Sequence, residues 1–453
     1  MSTGVSSDRS VREAYETDAS GLHLLPDVVA RPDTLDDVIE LVKSAAADRT
    51  AITCAGAQTS TTAASITDSG VLLSLRALNG IGEVDASTRS MRVGPGALLG
   101  EIKRTAAAAG FLFAPDPTSE EESTIGGAIA CNASGARTFK YGATRRHVRA
   151  LRVVLASGDV VEFRRTELEK NTVGYAFAHD PIDWFIGSEG TLGIIAEAEL
   201  SLLPLPERVV GLAIPFQTEV DALRFVVVAR ESTQVSPRCI EFFDSLALDI
   251  ARSSGPRLPG GSNAMVYVEE EVSGNMEETL ERWLQLMEQV PSAMEPLVFD
   301  GEAQLREARR IRHSVPATMN ERGGKHRAAG GRKISTDWAV PYRKLADAIG
   351  TARQLATARG LEQPVIYGHA GNGHPHQNFL ARDPAEVTTI EEVIEETLRT
   401  VLSLGGTVAA EHGIGKIKRK WLPLQMNLLQ ISMMKAVKRD LDPLGILAPG
   451  NIL

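Results

Sequence analysis

Cysteine is scarce in this 453-residue chain: Cys54, Cys131 and Cys239 are the only three, and none shows paired spacing. A disulfide framework, or an iron–sulfur cluster held within the chain, is therefore not expected. Long apolar runs are lacking too, since no stretch reaches the ~18 uncharged apolar residues that a membrane span requires. Met1 to Arg12 is polar with no apolar core segment, so no secretory signal is expected and the expected location is cytoplasmic. Positive charge is in deficit, 48 Lys and Arg against 58 Asp and Glu for a formal net charge of −10. That argues against nucleic acid or an anionic membrane as a general partner.

The 43% apolar and 23% charged residues are those of a soluble globular protein. Its length exceeds one ordinary core, so two or three domains are expected. Pro32-Asp33-Thr34 before Leu35, Val38, Ile39 and Val42 predicts a capped amphipathic helix. A short strand, Ala51 to Cys54, then runs into Ala55-Gly56-Ala57-Gln58-Thr59-Ser60-Thr61-Thr62. Small and hydroxyl residues there let backbone N–H groups face an anion such as a pyrophosphate. The run is not the GxGxxG fingerprint, which disfavours a Rossmann fold.

Two further clusters follow: Pro115-Asp116-Pro117-Thr118 with Ser123 through Gly135, and Ile186-Gly187-Ser188-Glu189-Gly190-Thr191-Leu192-Gly193-Ile194-Ile195. Each alone is compatible with turn chemistry. Three of them within 140 residues read as a nucleotide-shaped cradle.

The run Tyr367-Gly368-His369-Ala370-Gly371-Asn372-Gly373-His374-Pro375-His376-Gln377-Asn378 carries two histidines seven positions apart, and Ala410-Glu411-His412-Gly413 lies downstream. His369, His376 and Glu411 are two imidazoles and a carboxylate, a set that suits Zn²⁺ or a similar divalent ion and leaves a position open for substrate. If His376 to Leu380 is a strand, its period of two puts His376 and Asn378 on one face. The other reading of the run is a loop whose histidines bond backbone. Between Arg306 and Lys333 nine Lys or Arg stand against Glu307 and Glu321. This excess suits an anionic substrate, or a solvated helix face or subunit contact.

The glycine clusters resemble the FAD-binding domain of the vanillyl-alcohol oxidase and p-cresol methylhydroxylase superfamily. The histidine run, Ala410 to Gly415, and Asp442-Pro443 through Pro449-Gly450-Asn451 are similar to its (R)-2-hydroxyacid dehydrogenase branch. The likeness extends from about Tyr15 to Leu453.

It implies an α+β fold: a two-subdomain FAD-binding domain over 1–205, an α+β, ferredoxin-like substrate cap over 206–395, and a helical segment over 396–453 that returns to the FAD domain carrying Glu411 and His412. It assigns the pyrophosphate loop to Gly56, Ala57, Gln58, Thr59 and Ser60. The flavin ring and ribityl contacts fall to Pro117, Thr118, Thr124, Gly126, Gly127, Asn132, Ser134 and Gly135. Glu189 through Gly193 to Ile195 falls on the adenine side, and Asn451 is a further cofactor contact. The loop has no histidine where some members link flavin covalently, so non-covalent FAD is expected. Ala55 and Gln58 stand where Arg and Gly are usual, and Asn372 and His374 where Asp and Asn are usual.

The implied reaction oxidises a 2-hydroxy acid of the D-lactate, glycolate or D-2-hydroxyglutarate class. His412 would be the general base, Arg312 would bind the carboxylate, and Lys333 and Asn378 would be further substrate contacts. The electron acceptor is not specified, and a homodimer is one assembly the sequence allows. Two alternatives are a non-catalytic FAD-binding subunit and another superfamily flavoenzyme, of the aryl-alcohol oxidase or ether-lipid synthase type.

Overall fold

The computed structural model describes residues 4–254 and 260–453. They form two compact units. One takes the chain up to Gly135, Gly142–Leu205 and Glu411–Leu453; the other takes Ala136–Tyr141 and Pro206–Ala410. Residues 396–410 thus go with the second unit rather than with the closing segment.

In the first unit, strands Val28–Ala30, Val71–Ser74 and Ile52–Ala55 lie side by side in that order as a parallel sheet. The helix Leu35–Asp48 starts where Thr34 accepts the Asp37 N–H and Asp37 accepts back from the Thr34 N–H. This reciprocal cap satisfies donors the helix itself leaves open. Val38, Val42 and Ala45 form its buried stripe, packed with Ile52, Val71 and Leu73. The closing segment joins here: Ile52 donates to Ile446 O at 2.7 Å and Ala448 donates to Ile52 O at 2.7 Å. Buried Asp442 fixes that segment by accepting the N–H groups of Ile446 and Leu447.

A five-stranded antiparallel sheet follows, in the order Ile81–Asp85, Ser90–Val93, Ile194–Ser201, Val148–Val154, Val160–Arg164. Its core includes Phe113, Ile125, Ile129, Phe185 and Ile195. Full burial of one such side chain stabilises by about 1.5–3 kcal/mol.

The second unit is built on a seven-stranded sheet, antiparallel throughout. In space the strands run Leu297–Asp300, Val209–Phe216, Ala264–Glu271, Pro237–Phe243, Val365–His369, His374–Ala381, Arg332–Ser335. The first four in that order are fourth, first, third and second along the chain, which is the ferredoxin-like arrangement. One face carries Phe243, Met265, Tyr267 and Tyr367, covered by Ala308, Ile311, Val315 and Met319 of the helix Glu302–Gly324. Among the described residues no helix is long and apolar enough to cross a membrane.

Candidate active site

The imidazoles come from two strands joined by a tight turn. In the register of Val365–His369 with His374–Ala381, His369 lies opposite His374, Tyr367 opposite His376 and Val365 opposite Asn378. Opposed residues of an antiparallel pair project from the same face. Gly373 closes the turn at φ +68°, and a Cβ there would lie 1.9 Å from the Val340 carbonyl oxygen. Only glycine fits.

Three buried rings result, with centroids 5.4 Å apart for His369 and His374, 5.2 Å for His369 and His376, and 4.7 Å for His374 and His376. By sequence His374 is only a departure from the usual motif, standing where Asn is usual. Its spacing of two from His376 was the signal that it shares the face. Its Nε2 lies 3.1 Å from Asp337 Oδ1, in ion-pair range. Asp337 also holds the chain just ahead of Glu411, since its carbonyl accepts the Ala410 N–H at 2.8 Å.

Glu241 lies outside the sequence-based site candidates. Phe243 pairs with Tyr367, so two residues back along the strand Glu241 comes level with His369. Its Oε1 is 2.6 Å from His369 Nδ1 and its Oε2 accepts from Arg312 Nε at 3.1 Å. Burial alone would raise this carboxyl. The charge and hydrogen bond of His369, then those of Arg312, outweigh it and take the pKa down to about 2. The Arg312 guanidinium lies 5.2 Å from the Tyr367 ring centre, and that ring tilts against His376 at 5.5 Å.

Asn378 is buried. Its Nδ2 donates to the carbonyls of Val365 and His376, and its Oδ1 has no partner among the described residues. Lys333 donates to Asn320 Oδ1 at 2.8 Å, and burial lowers its pKa to about 8. The basic window divides: Arg306, Arg310 and Lys325 pair along the solvated helix face with Glu302, Glu307 and Glu321. Arg332 pairs with Glu391. Arg312 instead is buried.

In the first unit, among the described residues no backbone N–H from Ala57 to Thr61 finds a protein acceptor. A run of open donors on a turn fits an anion such as the FAD pyrophosphate. Gln58, which stands where glycine is usual, holds φ at +56° and spends its Nε2 on the carbonyls of Tyr15 and Thr17. Gly56 packs so closely on Thr124 that a Cβ would meet its Oγ1 at 2.1 Å. Thr124 in turn caps the helix Ile125–Cys131, within which Gly126 donates to Pro95 O. Pro117 is buried, Thr118 and Gly127 are exposed, and Asn132 ends that helix at φ +52° with its Oδ1 on the Arg145 N–H.

Ser134 donates to Glu411 Oε2 at 3.3 Å, and Glu411 Oε1 lies 3.5 Å from His412 Nε2. Glu189, assigned to the adenine side by sequence, has both carboxylate oxygens on backbone N–H groups, those of Ile414 and Gly415. It anchors the turn that follows His412. Burial pushes its carboxyl up, and those two hydrogen bonds oppose the rise. A Cβ at Gly193 would run into Val153 and Phe185, and Ile195 lies in the core. Asn451 bridges the carbonyls of Ala64 and Glu189 and accepts from Lys416, whose pKa burial lowers to about 8.

Two family descriptions match the chain: the FAD binding domain over residues 26–164, and the C-terminal domain of FAD linked oxidases over 205–452. This chain belongs to the FAD-linked oxidases. It is 30% identical to glycolate oxidase subunit GlcD of Bacillus subtilis, over 97% of this chain and 92% of that protein. It is 31% identical to a D-lactate dehydrogenase of Archaeoglobus fulgidus, over 94% and 91%. With a D-2-hydroxyglutarate dehydrogenase of Xanthomonas citri it shares 30%, over 94% and 89%. As an FAD-linked oxidase it is an oxidoreductase of the branch that holds these three proteins. Its fold matches p-cresol methylhydroxylase at a TM-score of 0.76 with 16% identity, covering 99% of this chain and 93% of that one.

Proposed function

We propose that this FAD-linked oxidase oxidises an (R)-2-hydroxy acid of the D-lactate, glycolate or D-2-hydroxyglutarate class to the 2-oxo acid. The observation that carries the reading is the buried row Arg312, Glu241, His369, in which a guanidinium suited to a carboxylate stands beside an imidazole cluster suited to a metal. The names of the relatives point to the same substrates.

FAD, held non-covalently, supplies a hydride acceptor when bound. A divalent ion such as Zn²⁺ would be held by His369 and His376 with Glu411 as third ligand, and would acidify a hydroxyl bound to it. The side chains do the rest. Arg312 and Lys333 bind the substrate carboxylate, and Asn378 offers its unpartnered Oδ1 to a hydroxyl. His412 accepts the hydroxyl proton as general base. Glu241 keeps Nδ1 of His369 engaged, so Nε2 is the nitrogen presented as ligand. A cytoplasmic setting belongs to the same proposal.

The test is anaerobic bleaching of the bound flavin by D-lactate, glycolate, D-2-hydroxyglutarate and the L-isomers of the chiral acids, followed by turnover with an artificial dye and an oxygen-uptake trace. Bleaching by one of the first three, without its mirror image in the chiral cases, is expected. A flavin that none of them reduces would point to a non-catalytic FAD-binding subunit or to different flavin chemistry.

A further inference from the structure

Every residue of the strand Pro237–Phe243 is buried. A carboxylate at its centre must be partnered on both oxygens or cost several kcal/mol. Glu241 meets that requirement with two side chains from different elements, His369 of a neighbouring strand and Arg312 of the helix Glu302–Gly324, which lie 57 positions apart in the chain. A buried Arg–Glu pair is often no more stabilising than apolar residues of similar volume, so stability alone gives a weak reason for placing one here.

We propose that Glu241 is a positioning residue that couples the metal site to the substrate site, orienting His369 for the ion and Arg312 for the substrate carboxylate. This rests on the function proposed above. On the histidine side, a carboxylate at Nδ1 fixes the tautomer and the ring orientation and makes Nε2 a stronger ligand. On the arginine side, a bond at Nε sets the plane of the guanidinium while the Nη donors, the fork that matches a carboxylate, lie outside that contact. One rigid carboxylate therefore sets both groups, and a shift that disturbs one disturbs the other. Tyr367 reinforces the link, since its ring touches the Arg312 guanidinium and His376.

Glu241→Gln keeps the shape but turns one acceptor oxygen into a donor, so His369 and Arg312 compete for the oxygen that remains. In FAD-loaded protein stripped of metal and titrated with Zn²⁺, the dissociation constant should rise about tenfold or more, the usual loss for an outer partner of a metal ligand. The KM for whichever of D-lactate, glycolate or D-2-hydroxyglutarate is the best substrate should also rise about tenfold or more, as expected when a charged hydrogen bond is disturbed. In an Arg312→Met background the same change should still weaken Zn²⁺ but should no longer alter KM, because contacting residues are not additive.

Wild-type Zn²⁺ affinity and KM in Glu241→Gln would overturn the coupling, as would a KM effect that persists undiminished without Arg312. Should Glu241→Gln fail to retain FAD, Glu241→Asp keeps the charge and shortens the reach. Weaker Zn²⁺ binding and a higher KM in that variant support the proposal, and wild-type values overturn it. A wild-type protein that binds no Zn²⁺ would instead overturn the metal reading on which the coupling rests.

Discussion

His412 stands one residue beyond Glu411 with its Nε2 3.5 Å from that carboxylate, and Glu189 anchors the turn behind it. His412→Ala should lower the rate of flavin reduction in stopped flow by about 10²–10⁴-fold, the range for a general base, and leave FAD bound. Unchanged reduction would place the base elsewhere. Lys333 gives a second test, because its pKa is lowered to about 8 against an ordinary 10.5. Between those values the unfolded chain binds the extra proton, so Lys333 makes stability rise with pH across that window. On the proposed role for Lys333, activity should move the opposite way, kcat/KM falling above about pH 8 as its charge is lost. Lys333→Arg stays charged and should carry that limb to higher pH; a limb that does not move would remove Lys333 from the substrate site. That His369, His376 and Asn378 share one face was legible because they lie within ten positions of one another. Glu241 was not: it stands on another strand 128 positions from His369, and only sheet register brings the two together.

Where one element does the work, local sequence sufficed. Thr34 with Asp37 announced the helix Leu35–Asp48, and the β-rich run at 51–54 announced the strand Ile52–Ala55. The strand order of the seven-stranded sheet was not legible, because it depends on pairings between segments far apart in the chain. The contact of Gly56 with Thr124 is of that kind, joining a loop to the cap of a helix nearly seventy positions on. Gly56→Ala would set a Cβ against Thr124 Oγ1 and push the loop out of place. The purified variant should carry less FAD, read from flavin absorbance relative to protein. Thr124→Ala alone removes the N-cap, a loss of about 1 kcal/mol, yet added to Gly56→Ala it removes the clash and should restore part of the flavin. Full flavin in Gly56→Ala would mean that the loop does not hold the cofactor.

Across the whole molecule the open N–H run and the imidazole cluster fall in different units, and Glu411 and His412 fall with the first. The open N–H run at 57–61 belongs to one unit, and the three imidazoles with their carboxylates Glu241 and Asp337 belong to the other. The flavin cradle has its own core around Ile125, Ile129 and Phe185, and the imidazole face has another around Phe243, Met265 and Tyr267. A ligand that binds only the folded state stabilises by about 2.7 kcal/mol at a hundred times its dissociation constant. For units of this size that is a rise of roughly 5–11 °C in the midpoint concerned. Chelation should therefore abolish turnover and lower a thermal midpoint while the flavin absorbance stays with the protein. Adding back Zn²⁺ should restore both activity and midpoint. Full activity in metal-free protein would make the imidazole cluster structural. Release of flavin on chelation would show that the ion holds the cofactor rather than the substrate.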